Sequence, residues 1–274
     1  MTTTTVTDAA GAGAAGVLAR PSGFAADVAT IARRALRSLL REPEFLGPAL
    51  FFPLFFYVIN IGSLQKVAEQ VPGVDYKAFE VPVAIIFAVT GVSRASVLVL
   101  DVQRGYLDKL LVTPVRRTAL LLGMMVADIV LVFFLSVLVV CMGFIVGVRF
   151  QTGPLGLLLF LAISSMWGMA FTGIPYTVAL RTGNPAAVNS SFLLFFPFLF
   201  FTSAFVPRSA MTGWLGAIAG WNPVTYLLDG LRALISTGWD WGAIGGAAAA
   251  AAGISVVTFW MAFAALRSRV NGPD

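Results

Sequence analysis

Residues Leu120 to Val148 read LLLGMMVADIVLVFFLSVLVVCMGFIVGV, an apolar run interrupted by one charge, Asp128. A bilayer core about 30 Å thick takes roughly 20 apolar residues in a helix, so this run is long enough to cross it. The short turn Arg149–Pro154 follows, in which Gly153-Pro154 breaks the helix, and a second apolar run, Leu155–Leu180, begins at once. Working outward from this pair, Val188–Phe205 and Ala243–Leu266 lie downstream, and Val81–Leu100 and Phe45–Ile61 lie upstream. The last run is Ala-rich from Ala247 to Ala252, and Ile254, Val256, Val257, Phe259, Trp260 and Phe263 supply the hydrophobicity it lacks. The expectation is an all-α integral membrane protein with six transmembrane helices.

The composition agrees. Of 274 residues, 58% are hydrophobic and 11% charged, and 23 are Phe. Average soluble chains carry about 25% charged residues. With no His and one Cys, Cys141, the chain offers no internal disulfide, no Cys/His zinc site and no His-based triad. No G-x-x-x-x-G-K-[ST] run is present, so no phosphate-cradling loop and no catalytic or metal residues are assigned. Residues 1–23 are Thr/Ala/Gly-rich without a basic start and apolar core, which reads as a disordered cytoplasmic tail rather than a secretory signal. The chain then divides into an amphipathic segment, 24–42, and the membrane domain, 43–274. These spans show no internal repeat, which counts against the repeat-built secondary transporters.

The distribution of Lys and Arg sets the orientation. With the N-terminus in the cytoplasm, 12 of the 18 basic residues fall inside, five fall outside, and Arg94 lies within a span. Both termini are then cytoplasmic. The net charge of +5 follows from this topology and gives no reason to expect nucleic acid as a partner.

Three segments outside the spans carry information. In Phe24–Glu42, Phe24, Val28, Ile31, Ala35 and Leu39 recur at helical spacing while Arg33, Arg34, Arg37 and Arg41 crowd the remainder. That pattern suits a helix lying in the headgroup layer with its basic side chains toward anionic lipid, or a simple topogenic anchor. Pro43 breaks it ahead of the first span. Between the second and third spans, Tyr106, Leu107, Leu110 and Leu111 form an apolar face opposite Arg104, Asp108 and Lys109. Pro114 ends this short helix, and Arg116 and Arg117 pin the start of the next span. Such a helix has a use if it docks on a partner; a polar loop or a second interfacial helix are the alternatives.

The third segment runs from Phe201 through Pro207 and on from Met211 to Ile235. Trp214, Ile218, Trp221, Tyr226, Leu228 and Leu231 suit two short amphipathic helices broken at Asn222-Pro223, dipping back into the outer leaflet with aromatics at headgroup level. Asp229 and Arg232 lie three apart and can pair. A plain extracellular loop is the alternative. Within the spans, Arg94 and Asp128 both fall roughly 10–17 Å above the cytoplasmic end, where neighbouring helices can pair them. Intramembrane charges are functional candidates by default, with a structural ion pair or a snorkelling Arg94 as the other reading.

The run Arg104-Gly105-Tyr106-Leu107-Asp108-Lys109-Leu110-Leu111 with Pro114, Arg116 and Arg117 resembles the segment between the second and third spans of ABC-2-type permeases, the membrane subunits of bacterial ABC exporters of the daunorubicin-resistance kind. Phe201–Pro207, Trp214, Asn222-Pro223-Val224-Thr225-Tyr226 and Asp229-Gly230-Leu231-Arg232 resemble that family's signature before the last span, and Arg41-Glu42-Pro43 is similar to its pattern ahead of the first. The resemblance extends from about Ala32 to Leu266. Met211-Thr212-Gly213-Trp214 departs from it, since the family usually has Pro shortly before that Trp.

The resemblance implies a multi-pass permease of the bacterial plasma membrane, paired with a second permease subunit as homodimer or heterodimer and with two copies of a separately encoded ATP-binding subunit. ATP and Mg would sit on that partner and no cofactor on this chain, which would not itself be an enzyme. By the same resemblance, Phe24–Glu42 is the interface helix and Tyr106–Leu111 the coupling helix that enters a groove of the ATPase. Met211–Ile235 is then the re-entrant pair at the outer end. The cargo would be a hydrophobic or amphiphilic small molecule such as a drug, polyketide or lipid. Polysaccharide and teichoic-acid exporters share the architecture and are the alternative, ahead of an ATP-independent secondary transporter. A membrane-embedded hydrolase lacks an evident nucleophile and base.

Overall fold

The computed structural model describes residues 23–39, 43–68, 75–103, 117–205, 208 and 211–271. Among them every regular element is helical. Helix α1, Phe24–Leu39, is the amphipathic segment. Helix α2 spans Pro43–Ala68, α3 Tyr76–Thr90, α4 Ala95–Gln103, α5 Arg117–Ile145 and α6 Gly153–Thr182. The short pieces α7, Pro185–Ser190, and α8, Phe195–Phe200, flank a 3-10 turn at Ser191–Leu194. Then follow α9, Gly213–Trp221, α10, Pro223–Arg232, a π-helical turn at Ala233–Thr237, and α11, Trp241–Asn271.

Among the described residues, five helical segments are long and apolar enough to cross a bilayer: Gly47–Lys66, Tyr76–Asp101, Thr118–Ile145, Gly153–Thr182 and Trp241–Ser268. Two expectations are altered. The expected span Val81–Leu100 is interrupted, with α3 ending at Thr90 and α4 starting at Ala95. The expected span Val188–Phe205 is not a continuous helix. Pro185–Phe200 is a shorter apolar stretch of about 24 Å at 1.5 Å per residue, bent at the 3-10 turn and ending in the turn at Phe201. Its composition explains this: a Ser pair at Ser190-Ser191, bulky Phe and Pro197 two residues into α8 all work against an uninterrupted helix.

Contacts at the two ends of α6 place that broken stretch along the bundle. At the C-terminal end of α6, Gln103 Nε2 donates to the Gly183 carbonyl at 2.9 Å, and Ala265 and Ser268 of α11 border a hollow with Leu180–Gly183. At its N-terminal end, Thr152 Oγ1 donates to the Leu234 carbonyl at 2.6 Å and Gln151 N to the Ile235 carbonyl at 2.9 Å. The chain therefore passes from one end of α6 to the other between Gly183 and Leu234.

The main core joins α3, α5, α6 and α10 through Ile85, Leu135, Phe160 and Leu228, all essentially solvent-free. A second core near the α1 end joins α4 to α7 and α11 through Leu98, Met125, Tyr176 and Val188. Helix α1 sits directly on α5. A Cβ at Gly123 would lie 2.7 Å from Ile31 and 3.0 Å from the Val28 carbonyl oxygen, so only Gly lets the two backbones approach this closely. Ala32 and Ala35 face the same contact, while Arg33, Arg34 and Arg37 are exposed. Arg34 reaches Asp101 of α4 at 3.6 Å.

Candidate functional site

A cavity of about 750 Å³ lies between α2, the α3–α4 break, α6 and the α7–α8 stretch. Prolines shape two of its walls. Pro48 and Pro53 interrupt the hydrogen-bond ladder of α2, and Pro175 does the same to α6, each ring removing the N–H that would bond four residues back. Phe52 and Phe56 of α2, Phe87 of α3, and Phe192, Phe196 and Phe200 of the broken stretch supply most of the lining. Phe87 meets Phe56 in a stack at 5.8 Å and Phe195 edge-on at 6.5 Å, which fixes the rings of opposite walls relative to one another. Among the described residues no Asp, Glu, Lys or Arg lines the space; its polar groups are Asn60, Thr90, Ser93, Asn189 and Ser191. Phe52, Phe56 and Phe200 are exposed as well as lining, so the cavity opens through the side of the bundle.

Asn60, on the cavity wall, donates Nδ2 to Glu80 Oε1 at 2.5 Å, and Glu80 is buried. Trp167 Nε1 donates to Thr90 Oγ1 at 3.1 Å and holds the last residue of α3 against α6. The next four residues, Gly91–Arg94, connect α3 to α4. Backbone freed by such a break inside a membrane needs an internal partner. Asp128 of α5 supplies one. Its carboxyl accepts the Arg94 backbone N–H, at 3.2 Å to Oδ1 and 3.3 Å to Oδ2, and the Tyr176 hydroxyl at 2.9 Å. Arg94 and Asp128, expected as an intramembrane pair, are thus brought together, and the hydrogen bonds run through the Arg94 backbone. The Arg94 guanidinium donates Nη2 to Ser38 Oγ of α1 at 2.6 Å.

At the far end, Asn222 caps α10 by accepting the Val224 N–H at 3.0 Å, with Pro223 in the first helical position. Its amide also donates to the carbonyls of Phe198 at 2.6 Å and Phe201 at 3.0 Å, which ties the end of α8 to the start of α10. The Tyr226 hydroxyl donates to the Gly220 carbonyl at 2.7 Å, closing the corner between α9 and α10. Arg232 donates Nε to Phe79 O at 3.2 Å, Nη1 to Ser203 O at 2.7 Å and Nη2 to Ala204 O at 3.1 Å, with its guanidinium 3.4 Å from the Phe79 ring centre. Asp229 pairs with Arg208 at 3.7 Å and accepts Ser203 Oγ at 3.4 Å. Burial pushes the Asp229 carboxyl above its ordinary range, against the pull of Arg232 and Arg208. Asp229 and Arg232 therefore meet through Ser203, to which Nη1 also donates at 3.2 Å. Trp214 is exposed and packs edge-on against Phe201.

The expected docking residues Arg104, Gly105, Tyr106, Leu107, Asp108, Lys109, Leu110, Pro114 and Arg116 lie outside the described residues, as do Pro207, Arg41, Glu42 and the tail 1–22. Arg117 opens α5. Sequence reasoning missed Ser38, Asn60 and Tyr176 as partners. None stands in a distinctive local pattern, because each is selected by a residue on another helix.

A multi-pass helical membrane protein with an uncharged aromatic cavity between its helices is the class these features define. The chain belongs to the ABC-2 type transporter family, whose profile matches residues 26–236. It is 27% identical over 216 residues to a probable doxorubicin resistance ABC transporter permease protein, DrrC, of Mycobacterium tuberculosis, covering 76% of each chain. It is 26% identical over 208 residues to the daunorubicin resistance ABC transporter permease protein DrrB1 of Streptomyces coeruleorubidus, covering 73% of this chain and 70% of that one. A putative transport permease, ycf38, of Cyanophora paradoxa is 26% identical over 221 residues, covering 78% and 75%.

Proposed function

We propose that this chain is the membrane subunit of an ATP-driven exporter and that the Phe-lined cavity holds a hydrophobic or amphiphilic small molecule in transit. The observation that carries this reading is the cavity itself: about 750 Å³, within the range of drug-sized sites, aromatic, free of charged lining groups among the described residues and open through the side of the bundle. A cargo partitioned into lipid can enter such a space without passing through water. The drug-resistance names of two relatives favour anthracycline-like cargo.

Energy then comes from a partner. Two copies of a separate ATP-binding subunit, carrying ATP and Mg, engage Tyr106–Leu111 and the region of α1 on the cytoplasmic side. A second permease subunit completes the pathway. The broken stretch Pro185–Phe200 with Phe201–Phe205 serves as the fifth of six crossings, which its passage along α6 supports, and α9–α10 form a re-entrant cap at the outer face. Both termini are cytoplasmic in a bacterial plasma membrane. ATP binding changes the cavity only to the extent that the partner binds the inward- and outward-facing states differently.

The test is purification of the full chain in mild detergent, identification of the co-purifying ATP-binding subunit, and ATP-dependent doxorubicin accumulation in inside-out vesicles. Phe56→Ala and Phe196→Ala are expected to lower accumulation several-fold by raising the half-saturating doxorubicin concentration. Transport that is indifferent to both substitutions sinks the cavity reading. A chain that purifies alone and moves solute without ATP sinks the exporter reading.

A further inference from the structure

The α3–α4 break is both a wall of the cavity and part of a polar chain that links Tyr176 and Asp128 through Arg94 to α1. Gly91, Val92 and Ser93 line the cavity, and Arg94 flanks the start of the next helix, its carbonyl accepting the Leu98 N–H at 3.1 Å. Two donors at that helix start are held from outside the helix ladder. Ser93 Oγ accepts the Ala95 N–H at 3.2 Å, and Asp128 accepts the Arg94 N–H. A carboxyl at a helix N-terminus is favoured both by the free N–H groups and by the helix dipole. In most helices this group comes from the adjoining residues; here α5 lends it across helices, and Tyr176 of α6 orients it by donating to Oδ2. The break is thus pinned by α5 and α6 together. Its side chain, Arg94, is 3% exposed and runs to Ser38, one residue from the end of α1.

The geometry points to Asp128, Tyr176, Arg94 and Ser38 as a set of positioning residues that transmits displacement of α1 to the cavity wall at Gly91–Ser93. This inference rests on the reading of the cavity as the cargo path. Helix α1 meets α5 where the Ile31 side chain and the Val28 carbonyl oxygen fit against Gly123. A shift of α1 against α5 moves the Ser38 hydroxyl, and the guanidinium that follows it draws on a helix start held by the hydrogen bonds to Asp128 and Ser93. The wall residues precede that helix start directly in the chain, so they move with it. None of the four side chains touches cargo; their role is to set where the wall stands.

The test uses the full chain in proteoliposomes with Cys141→Ala and a reporter, Val92→Cys, at a wall residue that is only 3% exposed. The reading is the rate at which a membrane-permeant maleimide labels the reporter. Ser38 does not line the cavity, yet Ser38→Ala is expected to change that rate about tenfold, the size of losing one hydrogen bond to a charged group. Ser38→Thr, which keeps the hydroxyl, is expected to restore it. The change from Ser38→Ala combined with Asp128→Asn should not exceed the larger single change, since members of one chain of contacts are not additive. If Asp128→Asn fails to insert, Tyr176→Phe replaces it in the same cycle. An unchanged reporter in Ser38→Ala, or additive changes in the cycle, overturns the inference. The cavity reading is checked separately: Nile red should slow labelling of the reporter in the otherwise unaltered chain. Loss of that protection alone would remove the cargo path while the coupling between Ser38 and Val92 stood.

Discussion

Arg232 shows how much one side chain holds at the outer end of this bundle. Its planar fork satisfies carbonyls from Phe79 of α3 and from Ser203 and Ala204 of the turn after α8, so two separate segments converge on it. Removing the side chain takes this donor from the buried Ser203 and Ala204 carbonyls, at about 1–3 kcal/mol each. Arg232→Ala is therefore expected to lower the thermal midpoint in detergent by many degrees, read by fluorescence-detected aggregation. Arg232→Lys should recover only part of the loss, because an ammonium cannot span two carbonyls with fixed geometry. Full recovery by Lys would show that charge alone matters. Asp128 makes a contrasting case. Its occurrence in an apolar run marked it at once as important, yet its partners, the Arg94 backbone and the Tyr176 hydroxyl, belong to helices far away in sequence. If the contact is with backbone, Arg94→Gln should leave the break intact and Asp128→Leu should not. Thermal midpoints of the two variants check this, and equal losses would argue for a side-chain ion pair instead.

Helix identity was legible where apolar length decides the matter. The stretches Leu120–Val148 and Leu155–Leu180 correspond to α5 and α6 within a few residues, because Gly153-Pro154 can only be a turn and the apolar length of each run carries the helix, in α6 past Pro175. The expected break at Asn222-Pro223 also stands between α9 and α10, for the same local reason of capping and proline. Where helices are interrupted for tertiary reasons, the reading failed. Gly91–Arg94 contains no Pro, and its interruption is stabilised by Asp128 from outside. How elements approach one another is set by small residues. A Cβ at Gly230 would meet Ala247 and lie 2.6 Å from the Ala243 carbonyl oxygen, so α10 lies backbone-close on α11. Gly230→Val is expected to separate the two and Gly123→Leu to lift α1 from α5. Each should make its helix pair more sensitive to limited proteolysis in detergent; unchanged digestion would mean that the packing tolerates the added volume.

The whole molecule is arranged along the length of α6, with α1, Gln103 and the end of α11 near its C-terminus and the α9–α10 pair near its N-terminus. Six crossings predict that Trp221, 92% exposed beside α10, and Arg181, exposed at the end of α6, face opposite sides of the membrane. In the Cys141→Ala chain, Trp221→Cys should react with an impermeant maleimide only from outside and Arg181→Cys only from within. Labelling of both from one side would leave five crossings. Composition, run length and the Lys/Arg distribution by themselves determined a multi-pass helical membrane chain with an amphipathic leading helix and a broken segment before the last span. These follow from the sequence because the cost of exposing polar backbone to lipid acts on each segment separately, whatever its neighbours. The cavity, the interrupted second span, the bent stretch before Phe201, and the Ser38 partner of Arg94, the Tyr176 partner of Asp128 and the carbonyl partners of Arg232 were decided only by tertiary structure. Each depends on which residue of a distant helix arrives within hydrogen-bond or van der Waals reach, and periodicity within one segment carries no record of that.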